Sequence, residues 1–215
     1  MVKEGYRNYE FGTIPSDWTI KKLGDIYDDM RTGATPSRNI ESYYTGNIPW
    51  ITSGELKSKY IYETNEEITE EAVKETNLRI YPVGTFFIAI TGLEAEGTRG
   101  SCAINAIPST TNQSCLAFIE KKELFTEFLY YWYSLYGDYI GLKYTQGTKQ
   151  QSYTAAIVKE LPIYYPEDVA EQNVIASILS DMDKEIETLE QKLAKNRQIK
   201  QGMMQQLLTG KIRLV

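Results

Sequence analysis

The side chains of this chain best suited to chemistry are cations and polar groups in two glycine-bearing stretches. Arg31, Arg38, Lys57 and Lys59 fall between residues 31 and 59 against only Glu41 and Glu55, while Lys143, Lys149 and Lys159 fall between 142 and 159 with no acid. Arg31, Arg38, Lys57, Lys59, Lys143 and Lys149 suit contacts with phosphate oxygens; Thr35, Ser37, Tyr43, Tyr44, Gln146 and Gln150 offer hydroxyls, rings and amides to base edges or sugars. Tyr144 lies beside the second group. An ordinary exposed loop accounts for any one of these residues equally well, and Thr35, Pro36 and Gly147 equally suit a role in shaping the loops.

Catalysis has little to work with. There is no histidine, which removes imidazole acid–base chemistry, every Ser-His or Cys-His nucleophile and nearly all zinc sites built on imidazole. Cys102 and Cys115 are too few for a thiolate metal site and sit in apolar runs as buried free thiols, so no metal is expected. Glu55-Leu56-Lys57 has the spacing of the tail of an acid-x-lysine nuclease signature, but no Pro-Asp precedes it. Gly210-Lys211 lacks the glycine five residues earlier that a phosphate loop needs, since Gln205 stands there. Gly92, Gly97 and Gly100 are too irregular for a dinucleotide loop, and no Asn/Asp-Pro-Pro-aromatic run holds a target base. The chain reads as non-catalytic, with no cofactor of its own.

A net charge of −6 opposes a polyanionic partner only if it is evenly spread. It is not. Glu63, Glu66, Glu67, Glu70, Glu71 and Glu75 form one acidic block against Lys74 and Arg79, and residues 167–190 form another, with Lys184 as their single cation. An acidic total is compatible with a locally positive face.

The elements that must position these residues follow from pattern. Residues 1–15 read as a polar lead-in, and Trp18, Ile20, Leu23 and Ile26 begin the packed body with a turn at Gly24-Asp25. Residues 31–46 read as a long exposed loop and 48–51 as a short buried strand. Thr69, followed by Glu70 and Glu71, caps a helix ending near Asn77. Apolar runs at 84–91, 101–107 and 114–119 predict strands. Phe125, Phe128, Leu129, Trp132, Leu135, Tyr136 and Ile140 recur at helical spacing and predict a helix packed on the sheet. A short helix at 152–160, a last strand at 161–165 and a hinge at 166–170 complete a mixed α+β body, in which most of the 17 tyrosines serve as core-edge residues.

From about Glu171 to Leu208 the chain reads as one helix, roughly 57 Å long at 1.5 Å per residue. With Leu179 as a, the a positions are Leu179, Ile186, Leu193, Lys200 and Leu207, and the d positions are Ile175, Met182, Leu189, Asn196 and Met203. Residues 191–215 carry Lys192, Lys195, Arg197, Lys200, Lys211 and Arg213 with no acid, opposite in sign to 167–190. Antiparallel pairing of two copies about Gln191 sets acidic half beside basic half and gives the layers Leu189–Leu193, Ile186–Asn196, Met182–Lys200, Leu179–Met203 and Ile175–Leu207. Asn196 alone would favour a parallel coil, in which it meets its own copy.

Several segments together carry a family likeness: Ile14-Pro15-Ser16-Asp17-Trp18, Leu23-Gly24-Asp25-Ile26, Gly33-Ala34-Thr35-Pro36-Ser37, the run from Gly46 to Leu56, Pro82-Val83-Gly84-Thr85, Asn112-Gln113, Gly147-Thr148-Lys149-Gln150, Glu171-Gln172 and the run from Met203 to Lys211. In this order, across essentially the whole chain, they resemble the DNA specificity subunit of Type I restriction-modification systems. Members of that family usually carry two target recognition domains and two long helices. This chain resembles one half of that arrangement, from Met1 to the family's usual closing segment, and so is expected to be a natural half-subunit or a fragment. It departs at Tyr165-Pro166-Glu167-Asp168-Val169, where the family more often has a proline-rich stretch.

The resemblance implies an α+β target recognition domain over residues 1–165 that reads one half of an interrupted site on double-stranded DNA. It implies a helical region, 166–215, that makes a homodimer through an antiparallel coiled coil and docks the methylation subunits. Those subunits would bring S-adenosylmethionine and catalysis, and a restriction subunit would join for cleavage, all in the cytoplasm and away from membranes. Asn196 and Lys200 could instead face a methylation subunit. A competing reading is an assembly adaptor whose body binds protein, which the acidic total suits; a carboxylate hydrolase using Glu55 is a third.

Overall fold

The computed structural model describes residues 4–93, 97–121, 123–145 and 152–214. In chain order it forms β1 (Tyr6–Tyr9), β2 (Gly12–Pro15), β3 (Thr19–Lys22), α1 (Leu23–Ile26), β4 (Tyr27–Thr32), β5 (Ile48–Ile51), β6 (Tyr60–Ile61), β7 (Glu67–Ile68), α2 (Glu70–Glu75), β8 (Phe86–Ala89), β9 (Cys102–Asn105), β10 (Thr110–Thr111), β11 (Cys115–Lys121), α3 (Thr126–Tyr144), α4 (Ala155–Glu160), β12 (Pro162–Tyr165) and α5 (Val169–Leu208). Single 3₁₀ turns occupy Glu41–Tyr44 and Ser53–Glu55. The chain divides into two compact units, Met1–Asn173 and Val174–Val215.

The first unit is built on a mixed sheet in the order β4-β11-β8-β9-β6. The apolar runs form its centre: Phe118 pairs with both Met30 and Phe86, and Phe86 with Ile104. All four residues of β8 and of β9 are buried, as expected for a short continuous apolar run covered on both faces. Helix α3 packs against β9 and buries Phe128, Leu129, Trp132, Tyr133 and Ile140. A smaller sheet, β10-β5-β7, carries the segment 48–51 between a parallel and an antiparallel neighbour. Thr69 caps α2 by accepting from the Ala72 amide, and Asn77, at φ 52°, ends that helical segment.

Three local expectations need correction. The lead-in is a β1–β2 hairpin, with Tyr9 opposite Gly12; its apolar anchors are few, Ile14 being buried and Phe11 packing within 6.2 Å of the rings of Trp132, Tyr136, Tyr139 and Tyr164. Gly24-Asp25 lies in the one-turn helix α1, which packs on α4. Residues 31–46 are not one exposed loop: Arg31 and Thr32 complete β4, and Tyr43, only 9% exposed, joins Trp50, Ile68 and Ala72 in a core cluster. Tyr43 therefore supports the loop from below, where the sequence placed it as a base or sugar contact.

Helix α5 starts at Val169, where the Asp168 carboxylate accepts from the Ala170 amide as an N-cap. Its 40 residues span roughly 60 Å. In the second unit every residue from 181 to 201 is exposed, apolar ones included.

Candidate nucleic-acid interface

Residues 33–38 hold the short polar side chains and Arg38, and distant segments fix their backbone. The Gly33 amide donates to the Asn112 carbonyl (3.1 Å), the Trp50 indole Nε1 to the Ala34 carbonyl (3.2 Å) and the Tyr44 hydroxyl to the Pro36 carbonyl (2.6 Å). Thr35 Oγ1 donates to Gln113 Oε1 at 2.6 Å. Beneath them β5 and β10 are stitched by Thr110 Oγ1 to the Pro49 carbonyl (3.1 Å) and Thr111 Oγ1 to the Ile51 carbonyl (2.9 Å). The approach is too close for a side chain at either glycine: a Cβ at Gly33 would lie 1.6 Å from the Thr111 carbonyl oxygen, and one at Gly46 2.1 Å from that of Ile68. Ser37 remains exposed on this platform.

Arg38 crosses the same platform. Its guanidinium stands 4.2 Å from the Tyr44 ring centroid and 5.2 Å from that of Trp50. Nη2 donates to Glu66 Oε2 at 2.7 Å and Nη1 to Glu66 Oε1. The pair lowers the Glu66 carboxyl below its ordinary range and raises Arg38 further. Glu66 is anchored in turn, because its carbonyl accepts from the Trp50 amide and from Thr64 Oγ1.

Glu55 has a structural task. Oε2 accepts from the Thr52 amide (2.7 Å) and Thr52 Oγ1 (2.8 Å), closing a capping box, and Oε1 accepts from the Asn65 amide (2.7 Å). These three donors give Glu55 a role in holding the turn together. The stretch from Gly54 to Asn65 encloses a cleft of about 440 Å³ lined by Glu55, Lys57, Ser58, Tyr60 and Tyr62 among others. Lys57 is exposed, while Lys59 Nζ donates to the Tyr131 hydroxyl (3.2 Å) and stands over the Tyr131 and Tyr60 rings.

The remaining cations form separate groups. Arg31 Nε donates to both carboxylate oxygens of Asp29, which also takes Arg79 Nη1 at 3.2 Å. Lys143 and the Tyr144 hydroxyl both donate to Glu10 Oε1. Burial pushes the Glu10 carboxyl up, but these two bonds and the Lys143 charge outweigh it and leave it below its ordinary range. Gln146, Lys149 and Gln150, with Gly147, lie outside the described residues. Asp29, Glu66 and Glu10 were not anticipated as partners of the cations; Glu66 and Glu10 arrive through folding from 28 and 133 residues away, whereas Asp29 stands two residues before Arg31 on the same strand, a local spacing that sequence reasoning missed.

On α5 the predicted seam is present as a stripe. Ile175, Leu179 and Leu207 are partly buried, and Met182, Ile186, Leu189, Leu193, Asn196, Lys200 and Met203 are exposed. Among the described residues, no cluster of His, Cys, Asp or Glu is arranged to hold a metal ion, and no helix is long and apolar enough to cross a membrane.

Residues 15–200 match the family model of the Type I restriction modification DNA specificity domain. The chain belongs to that family. The MjaIX specificity subunit of Methanocaldococcus jannaschii, a Type I restriction enzyme component, is 38% identical over 85% of this chain and 41% of its own length. The chain spans less than half the length of the curated relatives it matches. In fold it resembles the HsdS subunit of Thermoanaerobacter tengcongensis (TM-score 0.63, 14% identity, 94% of this chain and 47% of that one). It also resembles a chain from work on complex assembly and conformational transition of the type I R-M system (TM-score 0.68, 13% identity, 90% of this chain and 46% of that one). In this member of the specificity-domain family the quoted segments have physical roles. Gly33 to Ser37, the Gly46–Leu56 run and Asn112-Gln113 converge on one platform, and Gln172 ties the first turn of α5 to the body.

Proposed function

We propose that this chain is the DNA-reading half of a Type I restriction-modification specificity subunit. Residues 1–165 read one half of an interrupted target on double-stranded DNA, and 166–215 pair with a second copy and dock methylation subunits. The observation that carries this is the stapled platform of Gly33 to Arg38. Its backbone is held by three hydrogen-bonding segments, so its outward groups meet a groove already ordered. Candidate contacts are Ser37, Thr35, Arg38 and Tyr44 on the platform, Arg31 at the end of the strand that leads into it, Lys57, Lys59 and Lys143 from other segments, and Gln146, Lys149 and Gln150 from the sequence alone.

The helix supports a two-fold partner of its own kind. Antiparallel pairing about Gln191 places Leu189 on Leu193 and Leu179 on Met203, with Asp183 beside Arg197 of the second copy. Two identical readers related by that axis recognise an interrupted, two-fold symmetric sequence. Methylation subunits would contribute S-adenosylmethionine and all catalysis, a restriction subunit would add cleavage, and the complex would act in the cytoplasm.

The cations themselves favour a second reading. Arg31, Arg38 and Lys143 are each paired with a carboxylate of the chain, which weakens attraction to a polyanion and suits an adaptor whose body binds protein. Footprinting of the chain with its methylation subunit separates the two. Two protected segments about a turn or more apart support the first reading; assembly with the subunit but no protected DNA supports the second.

A further inference from the structure

Arg38 is held from three sides of the fold. Glu66 takes its two terminal nitrogens, the guanidinium stands over both the Tyr44 and the Trp50 ring, and the backbone of Glu66 is fixed by Trp50 and Thr64. An arginine has five N–H donors, and end-on pairing uses one from each Nη. The Nε edge, with two parallel donors, enters no hydrogen bond among the described residues, and the side chain is 53% exposed.

These features serve one kind of contact better than another. A phosphate contact draws on net charge and tolerates a mobile side chain, whereas Glu66 cancels the charge and the rings remove the mobility. Reading a base edge draws on fixed direction, which this arrangement supplies, and two parallel donors match the O6 and N7 acceptors of guanine in the major groove. We propose that Arg38 is a sequence-reading residue for a guanine and that Glu66 is its positioning residue. This rests on the DNA reading proposed above. Glu66 also screens Arg38 from phosphates of unrelated sequence, so the pair discriminates in both directions.

The test is selection from random duplexes by the full chain assembled with its methylation subunit, followed by binding to the selected and to scrambled duplexes across salt concentrations. Wild type should enrich a site with a defined G·C pair that Arg38→Lys and Glu66→Gln lose, each by about tenfold in preference at that pair alone. Arg38→Lys should leave the salt slope on scrambled DNA unchanged, Glu66→Gln should raise scrambled-DNA binding two- to threefold, and Glu66→Asp should restore part of the preference. A uniform loss on all duplexes with a slope flatter by about one contact would make Arg38 a phosphate contact and overturn the inference. Unchanged preferences in every variant would leave the pair a loop staple and overturn it equally. If wild type itself selects no sequence, the DNA reading fails along with it.

Discussion

The side-chain oxygen of Gln172 accepts the backbone amide of Phe125 at 2.7 Å, across 47 residues of sequence. The same amide group donates from Nε2 to the carbonyls of Glu123 (3.1 Å) and Pro166 (2.9 Å), and the residue is fully buried. One side chain thus serves the orphan donor at the start of α3 and fastens the first turn of α5. Gln172→Ala removes the bonds to the Phe125 amide and to both carbonyls. A loss of about 2–3 kcal/mol is expected, read as a lower midpoint in thermal or urea unfolding of the body; a change under about 0.5 kcal/mol would show that the network is dispensable.

Gly33 is expected to be intolerant and Gly54 tolerant. A methyl at Gly33 meets the Thr111 carbonyl at 1.6 Å and must part β4 from β10, whereas at Gly54 the nearest atom lies 3.9 Å away. Gly33→Ala should cost about 3 kcal/mol or more and Gly54→Ala less than about 1 kcal/mol, by denaturant titration. Equal effects would contradict the close packing of the platform.

The Arg38–Glu66 pair has a pH signature. Arg38 holds the Glu66 carboxyl below its ordinary value of 4.5, so the native state binds the proton less readily than the unfolded chain. The contribution is complete above pH 4.5 and disappears as pH falls through the lowered native value. Comparing melting temperatures from pH 6 to pH 3, wild type should lose more stability than Glu66→Gln below pH 4.5, by a modest amount because the pair is half exposed. Parallel curves would remove the pair from the stability of the loop.

Charge reversal tests the helix register. In the antiparallel pairing Asp183 flanks Arg197 of the second copy twice per dimer, so Asp183→Arg or Arg197→Asp should each weaken self-association by about 1 kcal/mol, roughly fivefold in Kd. The double reversal should restore it, as measured by sedimentation equilibrium. A double variant weaker than either single would exclude this register.

Both thiols should be inert in the native protein. Burial pushes Cys102 and Cys115 up to about 12, so almost no thiolate exists at neutral pH. A disulfide reagent should react only after unfolding; prompt native labelling would place a thiol at the surface.

What could be read from the sequence follows the range of the interaction. The 84–91, 101–107 and 114–119 strands, the Thr69 cap and the long α5 are set by local pattern, and each lies within a few residues of its expected position. The β1–β2 hairpin was hidden because two apolar anchors in a polar stretch leave no alternation to see. Tyr43 looked like a loop tyrosine because its burial is created by Trp50 and Ile68, neither of them its neighbour. The carboxylates opposite Arg38 and Lys143 lie 28 and 133 residues away, beyond any spacing rule. Gln113 was visible as part of a likeness but not as the acceptor of Thr35.

The bare middle of α5 has a consequence for the fate of single copies. From 181 to 201 nothing shields the helix, and a helix in water owes most of its persistence to what it packs against. An unpaired copy is therefore expected to open there and to be cut at Lys192, Arg197 or Lys200 sooner than a copy held in the pairing proposed above, as limited proteolysis across protein concentrations would read.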